Sequence, residues 1–214
     1  MRTFLSLENK HQEPLPPDLQ GDDVRYAPAL VRHFLQEYTR PGERVIDPFA
    51  GLGTTLVVAE GMGRLPYGIE IDERKAAYCR SRLAHPENLV HGDARRLLSY
   101  DLPICDFSMT SPPFSTLEEA SDPLSDYRVD GRGYKAYLRE LRQIYAQLAQ
   151  RMRPAGTVVI EAANLKQHGR LTTLAWDIAG EVGQVLHFDG EVVIGWDHYG
   201  YGYQHSYCLV FSVI

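Results

Sequence analysis

Two short stretches of this sequence carry residue types that packing alone does not call for. In Ser111-Pro112-Pro113-Phe114, two consecutive prolines follow an apolar run that reads as a buried strand. Proline has no N–H to give a sheet ladder, so the strand stops there. The carbonyls at that point sit on a stiff backbone and can accept hydrogen bonds from an NH₂ group. Ser111 adds a hydroxyl that can donate or accept. Phe114 offers a flat face for a planar ring, and base–aromatic stacking contributes about 1–3 kcal/mol. These parts suit an exocyclic aromatic amine that has to be gripped, oriented and taken out of conjugation with its ring. A nucleotide in a duplex would have to swing out to reach them.

The second stretch is Val45-Ile46-Asp47-Pro48-Phe49-Ala50-Gly51-Leu52-Gly53-Thr54-Thr55-Leu56. It reads as a buried strand, a tight turn and a helix N-terminus. Gly51 and Gly53 permit positive φ and let backbone approach a ligand that a Cβ would exclude. The helix that follows turns its first N–H groups toward the same spot. A dinucleotide fingerprint wants a third glycine where Leu56 stands, and a phosphate-binding loop wants a lysine, yet no lysine occurs between Lys10 and Lys75. The turn therefore better suits a ligand that carries an adenosine without phosphates. Roughly 20 residues further on, Glu70 ends a second apolar run, where a carboxylate can accept from both ribose hydroxyls. Asp72, beside it, is the better helix cap. Asp93, after Gly92, can accept from the amino group of an adenine.

The elements that must hold these residues follow from periodicity. Residues 1–25, with Pro14, Pro16 and Pro17, read as an irregular N-terminal arm, and residues 26–214 as a single catalytic domain. Ala29, Leu30, His33, Phe34 and Tyr38 recur at helical spacing before Pro41-Gly42. Strands are expected over 44–49, 65–72, 88–91, 105–110, 157–162, 191–196 and 206–213. Helices fall between them, over 54–62, 73–83, 134–152 and 171–183. The stretch from Ser115 to Arg132 is the longest loop, and Pro154-Ala155-Gly156 is expected to end the helix before it. Alternating strands and helices predict a seven-stranded, mostly parallel sheet wrapped on both faces, with an antiparallel C-terminal hairpin. In such a sheet ligands sit outside the carboxyl ends of the strands, and Asp47, Gly51, Glu70, Asp93 and Ser111 to Phe114 all fall at such ends.

Composition narrows the class. At 214 residues and 44% hydrophobic, the chain can bury one sizeable core. It has no long apolar run and no leader pattern, so neither membrane nor export is expected. Cys79, Cys105 and Cys208 are scattered and odd in number, which predicts reduced thiols in a cytoplasmic protein. No Cys-x-x-Cys or Cys/His cluster suggests a metal. The net charge of −6 means that any nucleic acid must be met by a local patch. Arg128, Arg132 and Lys135 are candidates, although Asp126 and Asp130 interleave them. The Tyr/Gly alternation within Trp196–His205 can equally be a base-stacking surface or one face of a β-ribbon.

Taken together, these motifs resemble the S-adenosylmethionine-dependent amino-methyltransferases of nucleic acids, in particular the DNA enzymes that modify the exocyclic amine of cytosine. The family's glycine motif is similar to Asp47-Pro48-Phe49-Ala50-Gly51-Leu52-Gly53-Thr54-Thr55. Its acidic strand is similar to Gly68-Ile69-Glu70-Ile71-Asp72, and its catalytic motif to Ser111-Pro112-Pro113-Phe114. Tyr26-Ala27-Pro28-Ala29-Leu30 resembles the short His-Pro-Ala-type segment that helps hold the methionine end of the cofactor, with Tyr26 in place of histidine.

The resemblance implies a Rossmann-like class I methyltransferase fold and S-adenosyl-L-methionine as cofactor. It places Tyr26, Pro28, Asp47, Pro48, Phe49, Gly51, Gly53, Thr54, Thr55, Glu70, Ile71 and Asp93 on the cofactor, and Ser111, Pro112, Pro113 and Phe114 on the target amine. Many relatives carry the catalytic motif ahead of the glycine motif, and here the order is reversed. No segment reads as a separate target-recognition region, so the loop 115–132 and the tail are where recognition would fall, and a partner subunit supplying it stays open. RNA instead of DNA, adenine instead of cytosine, and a non-catalytic cofactor-binding subunit also stay open. Carbon methylation of cytosine does not fit, because it needs a nucleophilic thiol, usually after a proline, and no Pro-Cys pair occurs.

Overall fold

The computed structural model describes residues 2–11, 14–22, 25–125, 128–129, 133–198 and 203–214. Its strands, in chain order, are β1 (Phe4–Leu7), β2 (Arg44–Asp47), β3 (Leu65–Glu70), β4 (Leu89–His91), β5 (Cys105–Thr110), β6 (Ser121–Asp122), β7 (Arg128–Val129), β8 (Met152–Ala162), β9 (Leu165–Gln167), β10 (Arg170–Thr172), β11 (His187–Trp196) and β12 (His205–Ser212). Its α-helices are α1 (Pro28–Tyr38), α2 (Thr54–Gly61), α3 (Glu73–Arg80), α4 (Gly133–Ala149) and α5 (Leu174–Val182).

The run before the glycine turn, β2, has Val45, Ile46 and Asp47 all buried, as a central parallel strand requires. It pairs with β3 on one side and with β5 on the other. The whole sheet runs β1-β11-β12-β8-β5-β2-β3-β4. The strands from β4 to β8 are mutually parallel, and β12 is antiparallel to both β8 and β11. Chain order reverses at β2, which leaves a crevice over the carboxyl ends of β2 and β5. Ile46, Val158 and Ile160 pack on one face against α4 and α5, while Val45, Phe107, Met109 and Val159 pack on the other against α1. This alternation is the period-2 consequence of a sheet covered on both sides.

Several expectations hold closely: β5 spans the expected 105–110, and α4 buries Tyr134, Leu138, Leu141, Tyr145 and Leu148. Others need correction. The sheet has eight strands where seven were expected, because residues 1–25 are not wholly irregular. Phe4–Leu7 adds to the sheet edge, parallel to β11, in the register Phe4↔Val193 to Leu7↔Trp196. A 3₁₀ turn at Pro17–Asp22 buries Leu19, which with Leu15 packs on Leu52. Four residues pairing with a strand almost a whole chain away leave no local signal.

Pro154-Ala155-Gly156 does not end the helix either. α4 stops at Ala149, and the three residues lie inside β8, opposite a register shift between Cys105 and Phe107. Ala155 there has φ 57°, the irregularity that lets a proline sit in a strand. Finally, α1 buries Leu30, Val31, Phe34 and Leu35, and His33 pairs with Glu37 at 3.2 Å at the helix flank.

Candidate active site at the carboxyl ends of the strands

Gly51 and Gly53 have φ of 53° and 84°, conformations that side chains rarely adopt. A Cβ on Gly53 would lie 2.3 Å from Cys79 Sγ, so this glycine lets α2 approach α3. A Cβ on Gly51 would meet no protein atom nearer than 3.9 Å, and Gly51 lines an open cavity of about 390 Å³. Glycine at 51 therefore keeps space for something that is not protein. The cavity's volume lies in the usual range for small-molecule sites, about 300–1,000 Å³.

Glu70 ends β3 and closes the turn. Its Oε2 accepts from the Gly51 N–H at 2.6 Å, and its Oε1 accepts from the Asp72 N–H at 2.8 Å. Burial raises its pKa above the usual carboxylate value, and these two bonds oppose that. Each oxygen keeps a further lone pair for a hydroxyl donor. Asp72 instead caps α3 through the Arg74 N–H at 2.8 Å and the Lys75 N–H at 3.3 Å.

Asp93, after β4, also lines the cavity. Its N–H donates to the Tyr100 hydroxyl at 2.8 Å, and a Cβ on Gly92 would strike that hydroxyl at 2.4 Å. Its carboxylate is held by Arg95, which donates from Nη2 at 2.7 Å. Arg95 also reaches Asp122 and Glu140 at 3.4 Å each, and so ties the rim loop and α4 to the end of β4.

Ser111, Pro112, Pro113 and Phe114 leave β5 and line the same cavity as Pro48, Phe49, Gly51, Glu70, Ile71 and Asp93. Tyr26 reaches it from the start of α1. The Tyr26 hydroxyl is hydrogen-bonded to Thr55 Oγ1, and Thr55 in turn donates to the Met109 carbonyl at 3.3 Å. One hydroxyl chain thus joins α1, α2 and β5, and Pro28 starts α1 at a position where its missing N–H costs nothing.

Five of the expected cofactor residues, Pro28, Asp47, Gly53, Thr54 and Thr55, do not line the cavity. Asp47 is buried and accepts from the Phe49 N–H at 2.9 Å, and burial pushes its carboxyl up to about 6 despite the Thr110 and Thr55 hydroxyls beside it. Cys105 is buried and its thiol is pushed up to about 12, which leaves it un-ionised.

Other lining residues were not anticipated: Glu161 near the end of β8, Trp196 at the end of β11, Asn9, Arg25, Lys75, and an apolar wall including Leu124, Leu165 and Ile178. Glu161 had left a signal, a carboxylate interrupting the apolar run Val158-Val159-Ile160. The others come together only in three dimensions. At the hairpin, residues 199–202 lie outside the described residues, as do Asp126, Asp130 and Arg132. Where it is described, Tyr203 packs edge-on against His205 and His205 against Tyr207, as one face of a ribbon would.

Strand order, glycine turn and acid-ended β3 define a class, the class I S-adenosylmethionine-dependent methyltransferase fold. A TehB-like SAM-dependent methyltransferase from Corynebacterium glutamicum superposes with a TM-score of 0.59 at 12% identity, covering 92% of this chain and 93% of that one. TrmN from Thermus thermophilus gives a TM-score of 0.62 at 19% identity, covering 87% of this chain and 49% of that one. At such identities the likeness is one of fold.

Sequence carries it further, because residues 8–80 match the family described as DNA methylase. A stretch of 76 residues is 37% identical to the Type II methyltransferase M.SmaI from Serratia marcescens, covering 35% of this chain and 25% of that protein. The matches cover between 9% and 25% of the length of these curated relatives. The matched segment, which takes in Tyr26, the glycine turn and Glu70, is similar to DNA methylases. Family and fold support S-adenosylmethionine as the cofactor, and the residues fit it. The Gly51 cradle leaves room, Glu70 offers an acceptor at the end of β3, Asp93, held by Arg95, borders the end of β4, and the walls are otherwise largely apolar. Among the described residues, no helix is long and apolar enough to cross a membrane.

Proposed function

We propose that this protein transfers a methyl group from S-adenosylmethionine to the exocyclic amine of a base in DNA, with cytosine N4 as the target. The observation that carries this reading is that Ser111-Pro112-Pro113-Phe114 shares one cavity with Gly51, Glu70, Ile71 and Asp93. An amine-gripping motif and an adenosine-binding motif that open on the same space need only hold two reactants in line. In this reading Glu70 holds the ribose, Asp93 and Ile71 border the adenine, and Tyr26 stands at the methionine end. The cofactor supplies a sulfonium methyl, which is already a strong electrophile. Ser111 and the Pro112 carbonyl take the amine hydrogens, which favours a pyramidal nitrogen and steadies the positive charge that grows on it. Phe114 stacks on the base. No covalent intermediate is required, in keeping with the un-ionised Cys105.

The family description supports DNA as the polymer, and the resemblance of Ser111-Pro112-Pro113-Phe114 to the motif of the cytosine-amine enzymes supports cytosine as the base, with adenine the alternative. The test is purified protein with tritiated S-adenosylmethionine on unmethylated DNA, followed by digestion to nucleosides. Label in N4-methyldeoxycytidine is expected, and label in N6-methyldeoxyadenosine would move the target. Ser111→Ala is expected to lower the rate by about 100-fold, the scale of one lost transition-state hydrogen bond. Phe114→Ala is expected to cost about 1–3 kcal/mol of base binding, with cofactor affinity held within a few-fold. Unchanged transfer by both variants would remove residues 111–114 from the chemistry.

A further inference from the structure

The cavity holds a carboxylate to which the reading above gives no role. Glu161 is the penultimate residue of β8, 6% exposed, and lines the space that Ser111 lines. Met109 on β5 and Val159 on β8 are register partners, and both point into the core beside α1. Two residues further along each strand come Ser111 and Glu161, so the period-2 alternation brings them to the same side of the sheet. At the usual strand spacing, their backbones stand about 5 Å apart. The residues assigned to adenosine, Glu70 and Asp93, end β3 and β4 on the far side of β2, whereas Glu161 lies beyond β5 in the opposite direction. A base gripped at residues 111–114 would therefore lie beside this carboxylate, which also neighbours Tyr26.

We infer that Glu161 is a catalytic residue of the proposed transfer, the acceptor of the proton that the target amine must lose. The amine nitrogen gains the methyl through its lone pair, while the sulfur keeps the electrons of the broken carbon–sulfur bond. One N–H then breaks, its electron pair stays on nitrogen, and the proton bonds to a Glu161 carboxylate oxygen before passing to solvent. The titratable neighbours cannot take it at neutral pH. Tyr26, ahead of α1, and Cys208, the β12 register partner of Glu161, are both held protonated by burial, and the Arg25 guanidinium has no acceptor atom.

This inference rests on the base-amine reading above, and the experiment separates the two. Wild type, Glu161→Gln, Glu161→Asp and Ser111→Ala are compared by single-turnover transfer to unmethylated DNA across pH 5–9. Their affinities for S-adenosylhomocysteine are measured by calorimetry, and the wild-type complex with that product is crystallised. Glu161→Gln is expected to slow transfer by about 100-fold or more, with affinity changed less than threefold. Glu161→Asp is expected to recover part of the rate.

A Glu161 carboxylate bonded to the amino-acid ammonium of the product, with affinity weakened tenfold in Glu161→Gln, overturns the inference and makes the residue a cofactor ligand. Wild-type rates in Glu161→Gln alongside an inactive Ser111→Ala overturn the inference alone. Wild-type rates in both variants overturn the reading of the site itself.

Discussion

Asp47 is a residue whose type was legible and whose placement was not. The glycine motif predicts an acid at the end of the strand, next to a ligand. The fold buries that acid at the turn, where its carboxylate accepts from the Phe49 N–H and burial lifts its pKa from 3.8 to about 6. Folded protein therefore binds this proton more tightly than unfolded protein does. Stability falls as pH rises between about 4 and 6 and is flat above, the reverse of a salt-bridged aspartate. Two units correspond to about 3 kcal/mol. Asp47→Asn keeps an oxygen for Phe49 and removes the titration. Urea melts at pH 4 and pH 7 are expected to show wild type losing about 3 kcal/mol relative to the variant, whereas equal pH slopes would mean that the carboxyl is not the titrating group. Glu70 is displaced in the same direction, so only the difference between the two proteins isolates Asp47.

Among the elements, α1 depends on a residue far outside it. Arg64 precedes β3, is buried, and donates to the Leu35 and Thr39 carbonyls and to Thr39 Oγ1 at the helix C-terminus, at 3.2, 3.0 and 3.0 Å. A further bond goes to the Met62 carbonyl at 2.7 Å. A guanidinium can satisfy several carbonyls at once because its donors are fixed in a planar fork. Since α1 follows directly on Tyr26, this cation helps hold one wall of the site. Arg64→Ala strands these acceptors and is expected to cost about 2–3 kcal/mol, a fall in Tm of about 8 °C for a chain of this size. Arg64→Lys, with a single point charge, is expected to fall between. A Tm within 1 °C of wild type for Arg64→Ala would show that water replaces these bonds freely.

At the scale of the whole molecule, β1 covers the outer side of β11 and becomes a four-residue edge in its place. Without it, β11 would present an unpaired row of backbone groups, the usual template for pairing with another chain. The Thr3 carbonyl accepts from the Val193 N–H at 2.9 Å, and Leu5 is buried on the α1 side. Deleting residues 1–8 is expected to lower Tm and to produce concentration-dependent association, readable by light scattering. An unchanged Tm with a monodisperse solution would show that the strand adds nothing to the edge. The deletion leaves the cavity's central residues in place, so the affinity for S-adenosylhomocysteine is expected to fall less than stability does.

What the sequence determined by itself was the local grammar. Gly51 and Gly53 had to be a turn with positive φ, Pro112 and Pro113 had to end a strand, Asp72 had to cap a helix, and the apolar periods had to alternate strand with helix. Each of these follows from the covalent structure of a few neighbouring residues, and each is found in the fold. Tertiary structure alone decided which of those residues look into the cavity and which do not. That choice depends on strand order and sheet face, and residues such as Phe4 and Val193, or Ser111 and Glu161, become neighbours only once the chain has closed its long-range pairings. Local sequence carries the cost and preference of a backbone conformation but no record of which distant strand will complete the ladder, so the turns could be read from it and the company of Glu161 could not.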